Sequence, residues 1–145
     1  MIKLTRDNIE DFRRKCKEER NKPIKVAVAN GTCAQVAGSK DIVKEFKKQL
    51  AEYKLNDVVL FKETSCLGLC ASEPNALIQL NQNEYPIFYA NLKPKDVKNI
   101  VIETIIKKKI LKNLLFKDLV TGRRPLHREQ IPFYYNQKKV LLKHY

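Results

Sequence analysis

Ile24-Lys25-Val26-Ala27-Val28-Ala29-Asn30-Gly31-Thr32-Cys33 is the stretch on which the fold turns. Ile24, Val26 and Val28 alternate with Lys25, Ala27 and Ala29, the period of two expected of a strand, and Asn30-Gly31-Thr32 ends that strand in a turn. A loop carrying Cys33 follows. Downstream, Ser39 or Asp41 opens a helix whose Ile42, Val43, Phe46 and Leu50 form one stripe, running to about Tyr53. Residues 57–62, Asp-Val-Val-Leu-Phe-Lys, then read as a buried strand. Strand, helix and strand within about 40 residues predict a parallel pair with a right-handed crossover.

Working outward, residues 6–20 read as an amphipathic helix capped by Thr5 or Asp7, with Ile9, Phe12 and Cys16 on one face and Pro23 as its stop. On the other side, residues 76–80 and 86–89 flank Asn81-Gln82-Asn83-Glu84 and predict a β-hairpin. Lys93-Pro94-Lys95-Asp96 opens a third helix with Val97, Ile100, Val101, Ile105 and Ile106 as its core face. The order is helix, then β-α-β, then β-β-α. This is the element order of a thioredoxin-like α/β fold, a mixed four-stranded sheet with a β-α-β-β-β-α core. The expected organisation is an N-terminal helix over 1–22, a thioredoxin-like domain over 23–108 and a basic tail over 109–145.

The chain has 145 residues, enough for one domain with appendages, and its 43% hydrophobic content is enough for a core. Its apolar runs are far shorter than the roughly 20 residues that cross a bilayer, so no span is expected. The first residues mix in charge from Lys3 onward and do not form a secretory signal, which points to the cytoplasm and to reduced thiols. A net charge of +13 invites a nucleic-acid or anionic-membrane reading. Residues 1–106 hold 18 basic and 14 acidic side chains, however, while residues 107–145 hold 11 and 2, so most of the excess is in the tail.

In the tail, Ile110, Leu111, Leu114, Leu115 and Leu119 suggest a further amphipathic segment, followed by a loop at 121–125 and the aromatic run Ile131-Pro132-Phe133-Tyr134-Tyr135. Such a segment is expected to lie across another protein's surface instead of folding alone. A nucleic-acid partner is the weaker expectation, resting on net charge and on Tyr134 and Tyr135 as stacking platforms.

Three of the four cysteines lie in the loops that follow the first and second strands: Cys33, and Cys66 and Cys70 within Thr64-Ser65-Cys66-Leu67-Gly68-Leu69-Cys70. Both loops of a parallel β-α-β unit emerge at the same sheet edge, so these thiols are placed to converge. Gly31, Gly38 and Gly68, three of the four glycines, sit beside them. Converging thiolates with small neighbours suit a soft metal or an iron–sulfur cluster, whose sulfurs accept backbone N–H bonds. Three other readings remain open at this point. A redox dithiol is normally Cys-x-x-Cys after the first strand; zinc wants four ligands, with only the remote His127 and His144 to add; and any cysteine can be a packed thiol. No G-x-G-x-x-G, Walker motif or Ser-His-Asp set is present, so no catalytic residue is assigned.

The sequence resembles the thioredoxin-like 2Fe-2S ferredoxins, in particular the domain at the N-terminus of the flavin subunit of NADH-dependent hydrogenases and complex I-like dehydrogenases. The matching pieces are Gly31-Thr32-Cys33 with Ala37-Gly38-Ser39, the Thr64 to Cys70 loop, Glu73-Pro74, Tyr89-Ala90-Asn91-Leu92-Lys93-Pro94, and Pro132-Phe133-Tyr134-Tyr135-Asn136-Gln137-Lys138-Lys139. The resemblance implies a 2Fe-2S cluster with Cys33, Cys66 and Cys70 as ligands, electron transfer as the function, and an FMN/NADH-binding domain or subunit as partner. The last piece resembles the connector into that domain. The family's first cysteine, near the end of the first strand, has no counterpart in Val26-Ala27-Val28-Ala29-Asn30, so the fourth ligand is unresolved. Cys16, upstream with Ile9 and Phe12, is expected to be a packed helix residue, the alternative being that it, or an oxygen ligand, completes the cluster. The alternative function is a clusterless docking module for an oxidoreductase partner. Glu73-Pro74 is expected to be cis, as prolines beside the active loop of thioredoxin-like folds often are.

Overall fold

The computed structural model describes residues 4–138, so what was expected of Lys139 and His144 lies outside it. The elements are α1 (Ile9–Arg20), β1 (Ile24–Ala29), α2 (Thr32–Val36), α3 (Ser39–Glu52), β2 (Val59–Thr64), β3 (Ala76–Gln79), β4 (Ile87–Tyr89), α4 (Pro94–Asn99) and α5 (Pro132–Tyr135). The sheet order is β2-β1-β3-β4, with β1 and β2 parallel and the other pairs antiparallel. This is the expected thioredoxin-like α/β arrangement.

β2 starts two residues later than its apolar run. Val58 and Val59 donate their N–H groups to Leu55 O in a turn, and the ladder begins where Val59 meets Ile24. It then runs through Lys62, Glu63 and Thr64, polar residues that suit an edge strand. α4 begins at Pro94, with the Lys93 N–H bonded to Asp96 Oδ2 at 2.8 Å, and continues as a π-helical stretch, Ile100–Ile106. There Lys107 donates five residues back to Ile102 O at 3.0 Å.

One face of the sheet carries Val26, Val28, Ile78 and Tyr89, which pack against Phe46 and Leu50 of α3 and against Val97, Ile100 and Ile105. The alternate residues face the other way. Leu77, Phe88 and Ala90 meet Leu67, Leu69, Phe116, Ile131 and Tyr134, so the second face is covered by a cysteine loop and the tail.

The tail also closes the open edge of β4. Phe88 donates to Leu126 O at 2.9 Å and Ala90 donates to Leu114 O at 3.0 Å. Tyr89 Oη shares a hydrogen bond with Thr104 Oγ1 at 2.8 Å and accepts one from the Leu111 N–H at 3.1 Å, which pins the chain as it leaves the helix. In place of a periodic amphipathic segment, residues 110–118 form a short turn, Lys112–Leu114, and are otherwise irregular, and a second turn begins at Leu119. Contrary to the expectation of another protein's surface, the surface this segment crosses is its own sheet, whose β4 edge has N–H groups to satisfy. Arg124 spends its charge on Asn113 O and Leu115 O, at 3.2 and 2.7 Å, and Arg128 is buried over the Tyr134 ring. Part of the tail's basic excess is therefore structural. Among the described residues no helix is long and apolar enough to cross a membrane.

Candidate metal centre

The parallel pairing of β1 and β2 brings both cysteine loops to one end of the sheet. Asn30 continues the ladder beyond β1, its N–H bonded to Thr64 O at 2.8 Å, and the chain then turns into α2 with Cys33 in its first turn. Gly31 lies against the second loop: a Cβ there would stand 3.1 Å from Cys66 N, too close for a side chain without movement. Glycine thus permits the contact that brings Cys33 and Cys66 together.

Within the second loop, Gly68 has φ +89°, a left-handed conformation that favours glycine, and its N–H points at Cys66 Sγ at 3.2 Å. Such an N–H stabilises a thiolate over a thiol. Cys66 Sγ and Cys70 Sγ are 3.9 Å apart. The Cys70 thiol is pushed up to about 11 because it is hydrogen-bonded by Cys33 and then by Cys66, and would ionise beside both. Three thiols therefore meet around Cys70, all free and exposed. Among the described residues, no three donors of the His, Cys, Asp or Glu type form a group able to hold a metal ion as they stand.

The loop is braced from behind. Ser72 Oγ donates to Leu69 O at 2.7 Å and accepts from Asn75 Nδ2 at 3.0 Å, while Asn91 and Leu92 donate to Ser72 O and Pro74 O. The Glu73-Pro74 peptide is cis, as expected. Glu73 is buried, which pushes its carboxyl above the usual carboxylate range; neighbouring Asn75 opposes the shift.

The tail reaches this end of the sheet too. Gly68 faces the Phe133 ring, and Leu67 and Leu69 pack into the cluster of Phe88, Ile131 and Tyr134. Burial pushes the Tyr134 phenol up to about 12; Arg128 opposes this, and Glu73, Cys66 and Glu129 add to it. Tyr134 is consequently committed to the protein interior, and of the two tyrosines proposed as stacking platforms only Tyr135 is exposed. The packing of Phe133 and Tyr134 on the cysteine loop was not foreseen. A signal for it was present: residues 30–39, 64–72 and 130–137 contain no Asp, Glu, Lys, Arg or His, in a chain with 31% charged residues. These three stretches meet at the thiols.

The remaining candidates are elsewhere. Cys16 lies on α1, in a groove lined by Ile9, Phe12, Arg13, Lys17 and Arg20 of the same helix, and α1 buries no residue. His127 stands by the hairpin, its Nδ1 3.1 Å from Pro86 O, at the end of the sheet opposite the thiols.

This arrangement has close counterparts in fold. The chain is similar to a thioredoxin-like [2Fe-2S] ferredoxin from Aquifex aeolicus with a TM-score of 0.56 and 20% identity, over 64% of this chain and 89% of that one. A wild-type structure of the thioredoxin-like [2Fe-2S] ferredoxin from the same organism gives 0.55 and 18%, over 64% and 95%. Residues 7–105, well over half of the sequence, match the model of the family described as thioredoxin-like [2Fe-2S] ferredoxin. From the β-α-β core to the cysteine loops at one sheet edge, the chain belongs to the thioredoxin-like [2Fe-2S] ferredoxins, a family whose cofactor is a 2Fe-2S cluster.

Proposed function

We propose that this protein is a one-electron carrier in which Cys33, Cys66 and Cys70 hold a 2Fe-2S cluster, and that it serves an NADH-dependent oxidoreductase or hydrogenase. The supporting observation is the meeting of three free thiols, one beside a backbone N–H, at the sheet end of an iron–sulfur family fold. The spacing suits iron. A tetrahedral metal with metal–sulfur bonds of about 2.3 Å places two sulfurs about 3.8 Å apart, close to the 3.9 Å between Cys66 and Cys70.

A cluster bound here supplies one-electron storage between two iron valence states. The protein sets the level of that store. Gly68 N–H directed at Cys66 Sγ stabilises negative charge on the sulfur. The three cysteines are exposed, so a redox partner can approach the thiols closely.

The NADH context rests on the resemblance of residues 132–138 to the connector of flavin subunits. A flavin domain attached through that segment would begin beside the thiols, because Phe133 packs on their loop. A reducing compartment such as the cytoplasm suits four free cysteines.

Anaerobic reconstitution with iron and sulfide is the test. Brown protein with two irons per chain and a paramagnetic signal on reduction is expected; colourless, iron-free protein would leave the second reading, a clusterless docking module. That reading draws support from the number of thiols gathered at the sheet end, Cys33, Cys66 and Cys70, which is one short of the four that such a cluster takes.

A further inference from the structure

The second face of the sheet is covered unequally. Its β3–β4 half lies under the tail, whereas on the β1–β2 half Lys25, Ala27, Leu60 and Lys62 line an open groove of about 710 Å³. Ala27 stands opposite Leu77 in the ladder, which makes the two halves one face. Apart from the strands themselves, the only described residue bordering the groove is Arg20, at the end of α1. That end is held in place: Lys22 Nζ donates to Asn56 O at 2.7 Å, and Gln82 Nε2 donates to Asn21 O at 2.9 Å. Arg20 also closes a second groove, of about 460 Å³, in which Ile9, Phe12 and Cys16 are flanked by Arg13 and Lys17. The two grooves adjoin at Arg20 and form a trough from α1 to Thr64, the residue that leads into the cysteine loop.

The trough is sorted by charge. Lys17, Arg20, Lys25 and Lys62 border it, and none of them is ion-paired among the described residues. Arg13 is shared with Glu10 at 3.7 Å. The one carboxylate in the lining, Glu63, is already held by Lys47 at 2.6 Å and by Asn30 at 2.7 Å. Residues 1–3 and 139–145 carry Lys3, Lys139 and Lys143 and no Asp or Glu, so they do not complement these cations. Between the cations the floor is apolar, with Ile9 and Phe12 on α1 and Ala27 and Leu60 on the sheet. A phosphate backbone has nothing apolar to lay on such a floor, and a flat membrane does not enter a trough. An amphipathic helix does both, and a sheet face is commonly covered by one.

We propose that the trough seats an acidic amphipathic helix of a partner protein, its apolar stripe on Ile9, Phe12, Ala27 and Leu60 and its carboxylates opposite Lys17, Arg20, Lys25 and Lys62. Such a helix covers the bare half of the second face as the tail covers the other. Its end at Thr64 stands beside the cysteine loop, so the trough holds the partner at the thiol end of the sheet. The site is independent of bound iron.

Fluorescence anisotropy on the full chain, both metal-free and reconstituted, tests this with a labelled amphipathic peptide of Glu, Ala and Leu. Saturable binding that weakens with added salt is expected in both forms. Lys25→Glu with Lys62→Glu should weaken it about tenfold or more, and the milder pair Lys25→Gln with Lys62→Gln about threefold. Phe12→Ser should weaken it about threefold through the apolar stripe. Lys95→Glu with Lys98→Glu on α4 changes net charge equally, outside the trough, and should leave the affinity within about twofold. Circular dichroism checks that each variant is folded. Absence of saturable binding overturns the proposal, and so does equal weakening by the two glutamate pairs, which would reduce the effect to net charge. Tighter binding of a single-stranded oligonucleotide or of phosphatidylserine vesicles, lost in the Lys25 and Lys62 variants, also overturns it and assigns the surface to that ligand. None of these results bears on the electron-carrier reading, which iron content decides.

Discussion

The two segments outside the central β-α-β-β-β-α unit make an instructive pair. Both α1 and the tail mix apolar with charged residues, and both read in sequence as appendages. Yet α1 buries no residue, with Phe12 40% exposed, whereas the tail buries Leu115, Ile131 and Tyr134. The difference lies in what the sheet needs. α1 offers only the narrow stripe of Ile9, Phe12 and Cys16, and its helix satisfies its own backbone. The tail offers free carbonyls to the unpaired N–H groups of Phe88 and Ala90 on β4, together with side chains for the uncovered second face. Edge hydrogen bonds and an open apolar face decide which appendage docks.

The sharpest way to break this comparison is to end the chain at residue 109. That removes the partners of β4, bares Phe88 and takes away Leu111 N–H from Tyr89 Oη. A loss of about 5 kcal/mol or more is expected, comparable to the whole stability of many domains. Denaturant unfolding should lose its cooperative transition; an unchanged midpoint would place the tail outside the fold. The single substitution Phe88→Ala isolates the second face. With its ring fully buried against Phe116 and Tyr134, the change should cost about 3–5 kcal/mol.

The same contrast explains what sequence reading captured and what it missed. β1 and α3 were legible because each buries one face, so alternation and a helical stripe mark them directly. The edge strand β2 was displaced by two residues, because its length follows pairing with β1 and not its own hydrophobicity. The π-helical stretch after Asn99 is apolar on its core face just as an α-helix is, and periodicity does not separate the two. Cys33, Cys66 and Cys70 meet because a parallel crossover puts both loops at one sheet end, which is a topological rule. The tail was opaque for the opposite reason. Its segments near 115 and 127 are held by backbone bonds to β4, which leave no pattern in side-chain type.

Cysteine reactivity gives a finer comparison between the two regions. The Cys70 thiol is pushed up to about 11 because Cys33 and Cys66 hold its proton and oppose its charge. Thiolate is the reactive form, and although a thiolate of higher pKa is the stronger nucleophile, its smaller fraction at pH 8 should make metal-free Cys70 alkylate about tenfold more slowly than an unperturbed exposed thiol. Raising the pH past 11 should erase the difference. Replacing Cys33 and Cys66 by Ala should speed Cys70 and leave the rate of Cys16 on α1 unchanged, as peptide mapping after a timed iodoacetamide pulse would show. A response at Cys16 would mean that α1 communicates with the thiol group.

The smallest effect is expected at Phe12, and it is the most informative about α1. A phenylalanine on the apolar stripe of a helix would cost several kcal/mol to replace if that stripe were packed. Here the ring is 40% exposed on a helix that buries no residue, so Phe12→Ser gives up little burial. Serine also lowers helix propensity by only a few tenths of a kcal/mol. The unfolding free energy from denaturant titration should fall by no more than about 0.5 kcal/mol. A loss of 2 kcal/mol or more would show that α1 packs on the domain, and with that the contrast between the two appendages would disappear.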